Sequence, residues 1–278
     1  MIPKLSVLGS PISHSKSPAI HSAAYRVLGL DWIYDKIEVR KGGLRSFMEQ
    51  LDPLWLGFSL TMPLKEEAAR FAASLDAAAE LTGAVNTLVR TDAGWAGYNT
   101  DVFGIVQAVR LAGVEAPKTV LILGSGATAT SAVTAVKELS PNATVLVHAR
   151  NAQTRGQLVA YAKQLGLKAH SVHFLTRAAS RANLTIATLP GGALNGVAEK
   201  LNKKNFRPAG AILDVAYDPW PSKIASVWSK ADQTIISGLE MLLWQAVAQI
   251  RIFKAGDPGL QLPNEVAVVE AMRHALES

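Results

Sequence analysis

The segment Ser13-His-Ser-Lys-Ser-Pro18 crowds hydroxyl side chains and a lysine between an apolar run and a helical pattern. Ligands of open α/β sheets usually bind at the carboxyl ends of strands, where this segment would lie. Its hydroxyls could hold the oxygens of a small polar ligand. A simpler interpretation is a polar loop in which Ser17 caps the next helix, with Pro18 at the first helical position. The segment alone leaves both interpretations open.

Three further segments place polar side chains at the end of a predicted strand or in a turn. They are Ser59-Leu-Thr61-Met-Pro-Leu-Lys65, Gly83-Ala-Val-Asn86-Thr87 and Asn99-Thr100-Asp101. Lys65 opens a predicted helix, where a cation opposes the helix dipole. A residue placed against its local preference invites a functional explanation, although a solvated lysine is the commoner case. An ammonium group there could stabilise negative charge on a ligand oxygen and donate a proton.

A glycine turn follows the apolar strand predicted over 119–123. It reads Gly124-Ser125-Gly126-Ala127-Thr128-Ala129, which is G-x-G-x-x-A and is followed by a helical pattern. In this context the glycines allow a tight turn and close approach of a pyrophosphate, which the N–H groups of the helix N-terminus then bind. The motif predicts a dinucleotide site, and a glycine turn without a cofactor is the alternative.

The end of the next predicted strand indicates which dinucleotide would bind. A free ribose 2′-hydroxyl usually meets an Asp or Glu there, whereas this chain has His148-Ala149-Arg150-Asn151, with Arg155 nearby. Arg150 could hold a 2′-phosphate by a charge-assisted contact and stack on the adenine. The pattern therefore favours NADP over NAD. Two solvated arginines at the start of a helix are the alternative.

Strand and helix patterns alternate along the chain, which predicts an α/β protein whose parallel strands are covered by helices. We expect two domains: an N-terminal α/β substrate domain over residues 1–103, joined by C-terminal helices at about 240–278, and a Rossmann-type dinucleotide-binding domain with a parallel sheet over residues 104–239. Strands are predicted at 5–8, 33–39, 56–61, 119–123, 144–147, 168–174, 184–187, 211–215 and 234–237, with a hairpin at 86–90 and 94–96. Helices are predicted at 19–28, 44–51, 65–73, 102–111, 155–165, 239–254 and 264–276, and from the glycine turn to about 139.

Composition narrows the function classes. The 278 residues are 49% hydrophobic, contain no cysteine and carry a formal net charge of +6. No apolar stretch approaches the roughly 18–20 residues that span a bilayer, and no signal peptide is evident. The basic residues are dispersed, which favours a small anionic ligand or phosphorylated cofactor over nucleic acid. We expect no membrane partner, no metal site, a cytoplasmic location, and a monomer or homodimer.

Taken together, these motifs resemble the shikimate dehydrogenase family. The resemblance rests on Ser13 to Pro18, Thr61-Met-Pro-Leu-Lys65, Gly83 to Thr87 and Asn99 to Gly104. It continues through Asp214-Val-Ala-Tyr217-Asp-Pro219 and Gly238-Leu-Glu-Met-Leu-Leu-Trp-Gln245. The motifs follow one another in order over nearly the whole chain, which makes the combination specific.

The resemblance implies reversible reduction of 3-dehydroshikimate to shikimate with NADPH, a step toward chorismate and the aromatic amino acids. It implies that Lys65 and Asp101 act as a coupled catalytic pair. The substrate-binding residues that it implies are Ser15, Ser17, Thr61, Asn86, Asp101, Tyr217 and Gln245. The cofactor-binding residues that it implies are Gly124, Ser125, Gly126, Ala127, Thr128, Arg150, Thr188, Val215 and Gly238.

The chain departs from the family pattern at three places. Ser59 replaces the usual asparagine two residues before the threonine, Ala149 and Asn151 replace the usual neighbours of Arg150, and Thr188-Leu-Pro190 replaces a Thr-Pro turn. One alternative is a quinate or quinate/shikimate dehydrogenase using NAD, which an acidic residue near position 150 would have favoured. A remote alternative is a non-catalytic dinucleotide sensor, which would not need Lys65 and Asp101.

Overall fold

The computed structural model describes residues 2–277 and divides the chain into two compact α/β units. The first unit runs to Thr100 and resumes at Leu242, and the second spans Asp101–Met241. The sequence places the domain boundary at 103/104. The two-domain α/β organisation with a parallel Rossmann-type sheet is confirmed.

The first unit is built on a mixed six-stranded sheet with the order β2-β1-β3-β5-β6-β4. Strands β2, β1 and β3 are parallel, whereas β5 runs antiparallel to both β3 and β6. The elements are β1 (Lys4–Gly9), α1 (Ser17–Leu28), β2 (Ile33–Glu38), α2 (Leu44–Met48), β3 (Trp55–Leu60), α3 (Lys65–Phe71), β4 (Ser74–Leu75), α4 (Ala77–Thr82), β5 (Thr87–Thr91) and β6 (Gly94–Tyr98).

The second unit is built on a fully parallel sheet with the order β12-β11-β10-β7-β8-β9. Its central strand β7 is buried from Val120 to Leu123, as expected of a strand covered by helices on both faces. The elements are α5 (Asp101–Leu111), β7 (Thr119–Leu123), α6 (Ala127–Leu139), β8 (Thr144–His148), α7 (Ala152–Gln164), β9 (Lys168–Ser171), α8 (Leu175–Ala179), β10 (Leu184–Ala187), α9 (Asn195–Lys203), β11 (Ala211–Asp214), α10 (Lys223–Ser229) and β12 (Ile235–Ser237).

Two further helices end the chain. Helix α11 (Gly238–Ala255) begins in the second unit and continues into the first, and α12 (Glu265–Glu277) follows it. The sequence predicts that the last helix packs on the first domain, and α12 does pack against α1. Lys16 Nζ also donates to the carbonyl of Leu276 at 2.8 Å, which ties the start of α1 to the end of α12. No helix within residues 2–277 combines the length and apolar character needed to cross a membrane.

Each unit has its own hydrophobic core. Phe58 and Leu88 are fully buried between β3, β5 and the surrounding helices of the first unit. Trp228 is fully buried in the second unit, against the side chains of β7, β10 and β11. Burial of one such side chain contributes about 1.5–3 kcal/mol, so each core can hold its sheet and helices together independently.

The predicted cap of α1 is wrong. Helix α1 begins at Ser17 itself, its N-cap is Lys16, and no side chain caps it. The backbone N–H of Ser17 instead donates to Ser15 Oγ at 3.3 Å. Because proline is tolerated anywhere in the first helical turn, Pro18 did not fix the starting residue. Ser17 is therefore a buried helical residue rather than a cap.

Candidate active site

The loops after β1 and β3 lie against each other at the carboxyl edge of the first sheet. Thr61 N donates to the carbonyl of Leu8 at 2.9 Å, and Ser10 N donates to the carbonyl of Met62 at 3.0 Å. A Cβ on Gly9 would press on the Thr61 side chain and lie 2.9 Å from the Met62 carbonyl oxygen. Glycine at position 9 therefore allows the segment that leads to Lys65 to approach β1 this closely.

Lys65 is the first residue of α3 and is partly buried. Its carbonyl accepts from Val85 N at 2.9 Å, and Leu60 N donates to the carbonyl of Asn86 at 2.7 Å. These main-chain bonds connect α3 and the end of β3 with the turn that carries Asn86. The sequence-predicted residues Lys65, Thr61 and Asn86 are therefore brought together by backbone structure.

The carboxamide of Asn86 is buried and has a defined orientation. Its Oδ1 accepts from Thr100 N at 2.9 Å and from Thr87 Oγ1 at 2.8 Å. A backbone N–H can only donate, so the amide oxygen must face Thr100 N, and the amide nitrogen lies 2.9 Å from Thr100 Oγ1. Nδ2 lies 3.4 Å from Gln245 Oε1, which joins two of the predicted substrate-binding residues.

The serines of the first predicted segment lie at the start of α1. Ser15 is partly exposed and Ser17 is buried, and they are linked by the bond from Ser17 N to Ser15 Oγ. Lys36 Nζ donates to the carbonyl of Ser13 at 2.6 Å, which holds the preceding loop to β2.

Two predicted substrate-binding residues belong to the second unit. Asp101 is buried and opens α5, where the positive end of the helix dipole favours a carboxylate. Tyr217 follows β11 and is half-buried, and burial raises the pKa of its phenol above the ordinary value.

The glycine turn lies between β7 and α6, as predicted. Gly124 has a φ of +120°, a conformation that side chains rarely adopt, and its N–H donates to the carbonyl of His148 at 3.0 Å. A Cβ on Gly124 would lie 2.5 Å from Thr188 Oγ1, which itself donates to the carbonyl of Leu123 at 3.0 Å. The turn is therefore packed directly against Thr188, another predicted cofactor residue.

The N-terminus of α6 is open. Gly126 is the N-cap, has no neighbouring atoms on its side-chain side, and no side chain caps the helix that begins at Ala127. The first-turn N–H groups, including that of Thr128, lack partners within the helix and are suited to an anionic group. Ser125 Oγ is hydrogen-bonded to Thr154 Oγ1 at 2.8 Å, which links the turn to α7.

Arg150 lies exposed after β8, the strand that pairs with β7. The next residue, Asn151, caps α7 by accepting from the backbone N–H groups of residues 153 and 154 at 2.9 and 3.1 Å. The first turn of α7 contains no acidic side chain. Arg155 is less exposed than Arg150, and its Nη1 donates to the carbonyl of Ala149 at 2.7 Å. Arg150 is thus the arginine that faces solvent beside the turn.

The remaining predicted cofactor residues lie where β11 and β12 end. Val215 N donates to the carbonyl of Ala187 at 3.0 Å, and Gly238 opens α11 directly against the carbonyl of Val215. Asp214, next to Val215, is buried and accepts from Ser222 Oγ at 2.6 Å, and burial raises the pKa of its carboxyl. This edge of the parallel sheet is where ligands of doubly wound folds bind.

Sequence reasoning did not identify two buried polar residues of the first unit. Tyr34 donates to Ser59 Oγ at 2.6 Å, and Gln249 accepts from the same hydroxyl at 2.7 Å. Gln249 stands four residues after Gln245 in an otherwise apolar part of α11, so a polar residue on the same helical face was the available signal.

One unit with a polar, lysine-bearing sheet edge and another with a dinucleotide turn are together typical of two-domain nicotinamide-dependent oxidoreductases. Residues 7–88 match the family model "Shikimate dehydrogenase substrate binding domain", and residues 95–236 match "Alanine dehydrogenase/PNT, C-terminal domain". A shikimate dehydrogenase (NADP(+)) of Nitrosopumilus maritimus is 31% identical over 97% of this chain and 96% of its own length. The chain belongs to the shikimate dehydrogenase family.

Solved structures that resemble this chain belong to the same family. The structure of Mycobacterium tuberculosis shikimate dehydrogenase has a TM-score of 0.86 and 40% identity, and it covers 99% of both chains. Shikimate 5-dehydrogenase of Thermus thermophilus, solved in complex with NADP(H) and shikimate, has a TM-score of 0.81 and 28% identity. That comparison covers 99% of this chain and 100% of the other.

Proposed function

We propose that this protein is an NADP-dependent shikimate dehydrogenase that interconverts shikimate and 3-dehydroshikimate on the route to chorismate. One observation carries the proposal. The lysine-bearing sheet edge of the first unit and an open glycine turn beside an exposed arginine occur in one chain, which aligns over nearly its full length with relatives of that name.

Shikimate is small and polar, with one carboxylate and several hydroxyls. We assign its binding to Ser15, Ser17, Thr61, Asn86 and Gln245, together with Asp101 and Tyr217. Fixed amide and hydroxyl groups suit such a ligand, because an analogue lacking one hydroxyl would leave a buried polar group without a partner. The defined orientation of Asn86 supports this assignment, since its Nδ2 is held on the side of Gln245.

We assign the proton chemistry to Lys65 and Asp101 as a coupled pair. In the oxidising direction Lys65 takes the proton of the reacting hydroxyl. In the reducing direction it returns that proton as negative charge grows on the ketone oxygen. We assign the compensating negative charge to Asp101. NADP, when bound, supplies or accepts the hydride.

The residues of the second unit fit NADP. The unpartnered N–H groups at the start of α6 suit a pyrophosphate at the turn formed by Gly124, Ser125, Gly126, Ala127 and Thr128. Arg150 is exposed, and the α7 first turn lacks the carboxylate that would repel a 2′-phosphate. We assign Thr188, Val215 and Gly238 to the same site.

The proposal is tested by assaying hydride transfer from shikimate and from quinate, each with NADP and NAD. Wild-type protein should prefer shikimate with NADP. Arg150→Ala should raise KM for NADP at least about tenfold, because one charge-assisted contact is worth about 1.5–3 kcal/mol. KM for NAD should change little. Arg177→Ala, which removes an exposed arginine on α8, should change neither value.

Other outcomes of this assay would contradict the proposal. A preference for quinate with NAD would favour the quinate dehydrogenase alternative, and no turnover of either substrate would favour a sensor. Equal effects of Arg150→Ala on both cofactors would show that Arg150 does not contact the 2′-phosphate.

The assignment of residues 1–103 and about 240–278 to substrate, and of 104–239 to NADP, belongs to the same proposal. Oligomeric state, as a monomer or homodimer, and a cytoplasmic location stay predictions from the sequence.

A further inference from the structure

A chain of buried hydrogen bonds crosses the first unit beneath the candidate substrate site. Tyr34 on β2, Ser59 on β3 and Gln249 on α11 form it, and we call these three residues the relay. They are 6%, 4% and 1% exposed, respectively. Tyr34 Oη lies 2.6 Å from Ser59 Oγ, and Ser59 Oγ lies 2.7 Å from Gln249 Oε1.

The relay ends at the main chain of a predicted substrate-binding residue. Gln249 Nε2 donates to the carbonyl of Asn86 at 3.1 Å and to Thr87 Oγ1 at 3.0 Å. Thr87 in turn donates to Asn86 Oδ1 at 2.8 Å. Gln249 therefore supports Asn86 in two ways. It binds the Asn86 main-chain carbonyl directly, and it binds the Thr87 hydroxyl, which orients the Asn86 carboxamide.

Every hydrogen in the relay has a fixed direction. A carbonyl can only accept, so the amide nitrogen of Gln249 must face Asn86 and its oxygen must face Ser59. The Ser59 hydroxyl must then donate to Gln249, which leaves its oxygen to accept from Tyr34. None of the three side chains can reverse its hydrogen bond without leaving a buried polar group unpaired, which is destabilising.

The other end of the relay lies beside Ser17. The ring of Tyr34 stacks on His21 with centroids 3.9 Å apart and an interplanar angle of 12°, which fixes the direction of the phenolic hydroxyl. Burial raises the pKa of the Tyr34 phenol, and side-chain hydrogen bonds with Ser59 and Ser17 partly offset this effect. The relay thus runs from Tyr34, a neighbour of Ser17, to Asn86.

We propose that Tyr34, Ser59 and Gln249 are positioning residues that hold Ser17 and Asn86 in the arrangement that shikimate requires. The inference rests on the proposed function. Stability alone does not explain the relay, because replacing all of its paired polar groups by apolar groups of similar shape could be nearly neutral, although removing a single partner is destabilising. The relay instead adds to the support of Ser17 and Asn86, the second of which Thr100 also holds.

The test compares Tyr34→Phe and Gln249→Met, which each remove relay bonds while keeping side-chain volume. Each should raise KM for shikimate at least about fivefold, which is roughly the effect of losing one hydrogen bond. KM for NADP and kcat should change less than about twofold, since the relay touches neither the glycine turn nor Lys65. The double variant should be no worse than the worse single variant, because one break already disrupts the relay.

Tyr161→Phe is the matched control. It removes a tyrosine hydroxyl that is hydrogen-bonded to Thr134 Oγ1 at 2.6 Å in the second unit, so it should leave KM for shikimate unchanged. An unchanged KM for shikimate in both relay variants, or an equal rise in KM for NADP, would overturn the positioning role of the relay. Either result would leave the proposed function in place. Variants that fail to fold would mark these residues as structural and would also overturn the positioning role. Wild-type protein that does not oxidise shikimate would overturn the proposed function and the relay together.

Discussion

Among single residues, Asn86 and His21 show how burial determines what a polar group can do. Asn86 is 2% exposed, and its Oδ1 is occupied by Thr100 and Thr87, so its amide has one orientation. His21 is fully buried beside Tyr34, and its Nδ1 lies 3.2 Å from Tyr25 Oη. Burial lowers the pKa of His21 to about 3, an effect that a hydrogen bond with Gln249 partly opposes.

His21 should make the stability of the protein depend on pH. The unfolded chain binds a proton at this residue below the ordinary pKa of 6.5, whereas the folded protein does not until about 3. The free energy of unfolding should therefore fall as pH falls through this window, by up to about 1.4 kcal/mol per pH unit. Denaturant unfolding of wild type and His21→Phe at about pH 7.5 and pH 5 measures the effect. Between these conditions the wild type should lose about 2 kcal/mol more than the variant.

The comparison isolates His21 because every other titrating group is common to both proteins. Loss of the bond to Tyr25 affects the variant equally at the two pH values. An identical pH dependence in wild type and variant would contradict a neutral, buried His21.

Between elements, the junction of α11 and α12 rests on a buried ion pair. Arg251 Nη2 lies 2.6 Å from Glu265 Oε1, and the two side chains are only 8% and 16% exposed. Arg251 also donates to the carbonyl of Pro258 at 2.9 Å, and Leu262 N donates to Glu265 Oε2 at 2.9 Å. The pair therefore fixes the loop that returns α12 toward α1.

Removing one partner of this pair should be strongly destabilising. Arg251→Met leaves the Glu265 carboxylate buried without its counter-ion, which costs about 3–5 kcal/mol. Lys223→Met is the control, because Lys223 and Glu199 form an ion pair of similar length, 2.8 Å, with both side chains more than half exposed. The control should lose less than about 1 kcal/mol. Denaturant unfolding measures both values, and equal losses would contradict the role given to burial.

Strands that are continuous apolar runs could be predicted from the sequence. The strands at 119–123 and 184–187 have the predicted ends, because continuous apolar runs bounded by polar residues leave little freedom. Helices α4, α8 and α10 were not predicted, since one or two turns carry little periodicity. Helix α9 is longer and amphipathic and was missed all the same. The strand predicted over 168–174 ends at Ser171, and Phe174 precedes α8 with its side chain 75% exposed.

Motifs in the sequence suggest the candidate site residues, but they do not reveal the residues that support them. Lys65, Asn86 and Gly124 each belong to a short motif that can be read from neighbouring residues in the sequence. Tyr34 and Gln249 are separated by more than two hundred positions, and only the folded first unit brings both to Ser59.

For the whole molecule, we propose that the chain divides two tasks between two units. The first unit carries Lys65 on a mixed sheet with polar loops at its carboxyl edge, and the second carries the glycine turn on a fully parallel sheet. The two tasks should be separable by mutation. A change at Lys65 should remove the proton transfer and leave the binding of NADP by the second unit intact.

The most direct test of this account is kcat for NADPH formation from shikimate by wild type and Lys65→Ala. The binding of NADP to both proteins is measured in parallel, and Lys41→Ala, at an exposed lysine of the first unit, is the control. Lys65→Ala should lower kcat at least about a hundredfold, the usual contribution of a general acid–base group, with KM and NADP binding nearly unchanged. The control should match the wild type. A near-normal kcat in Lys65→Ala would contradict the account.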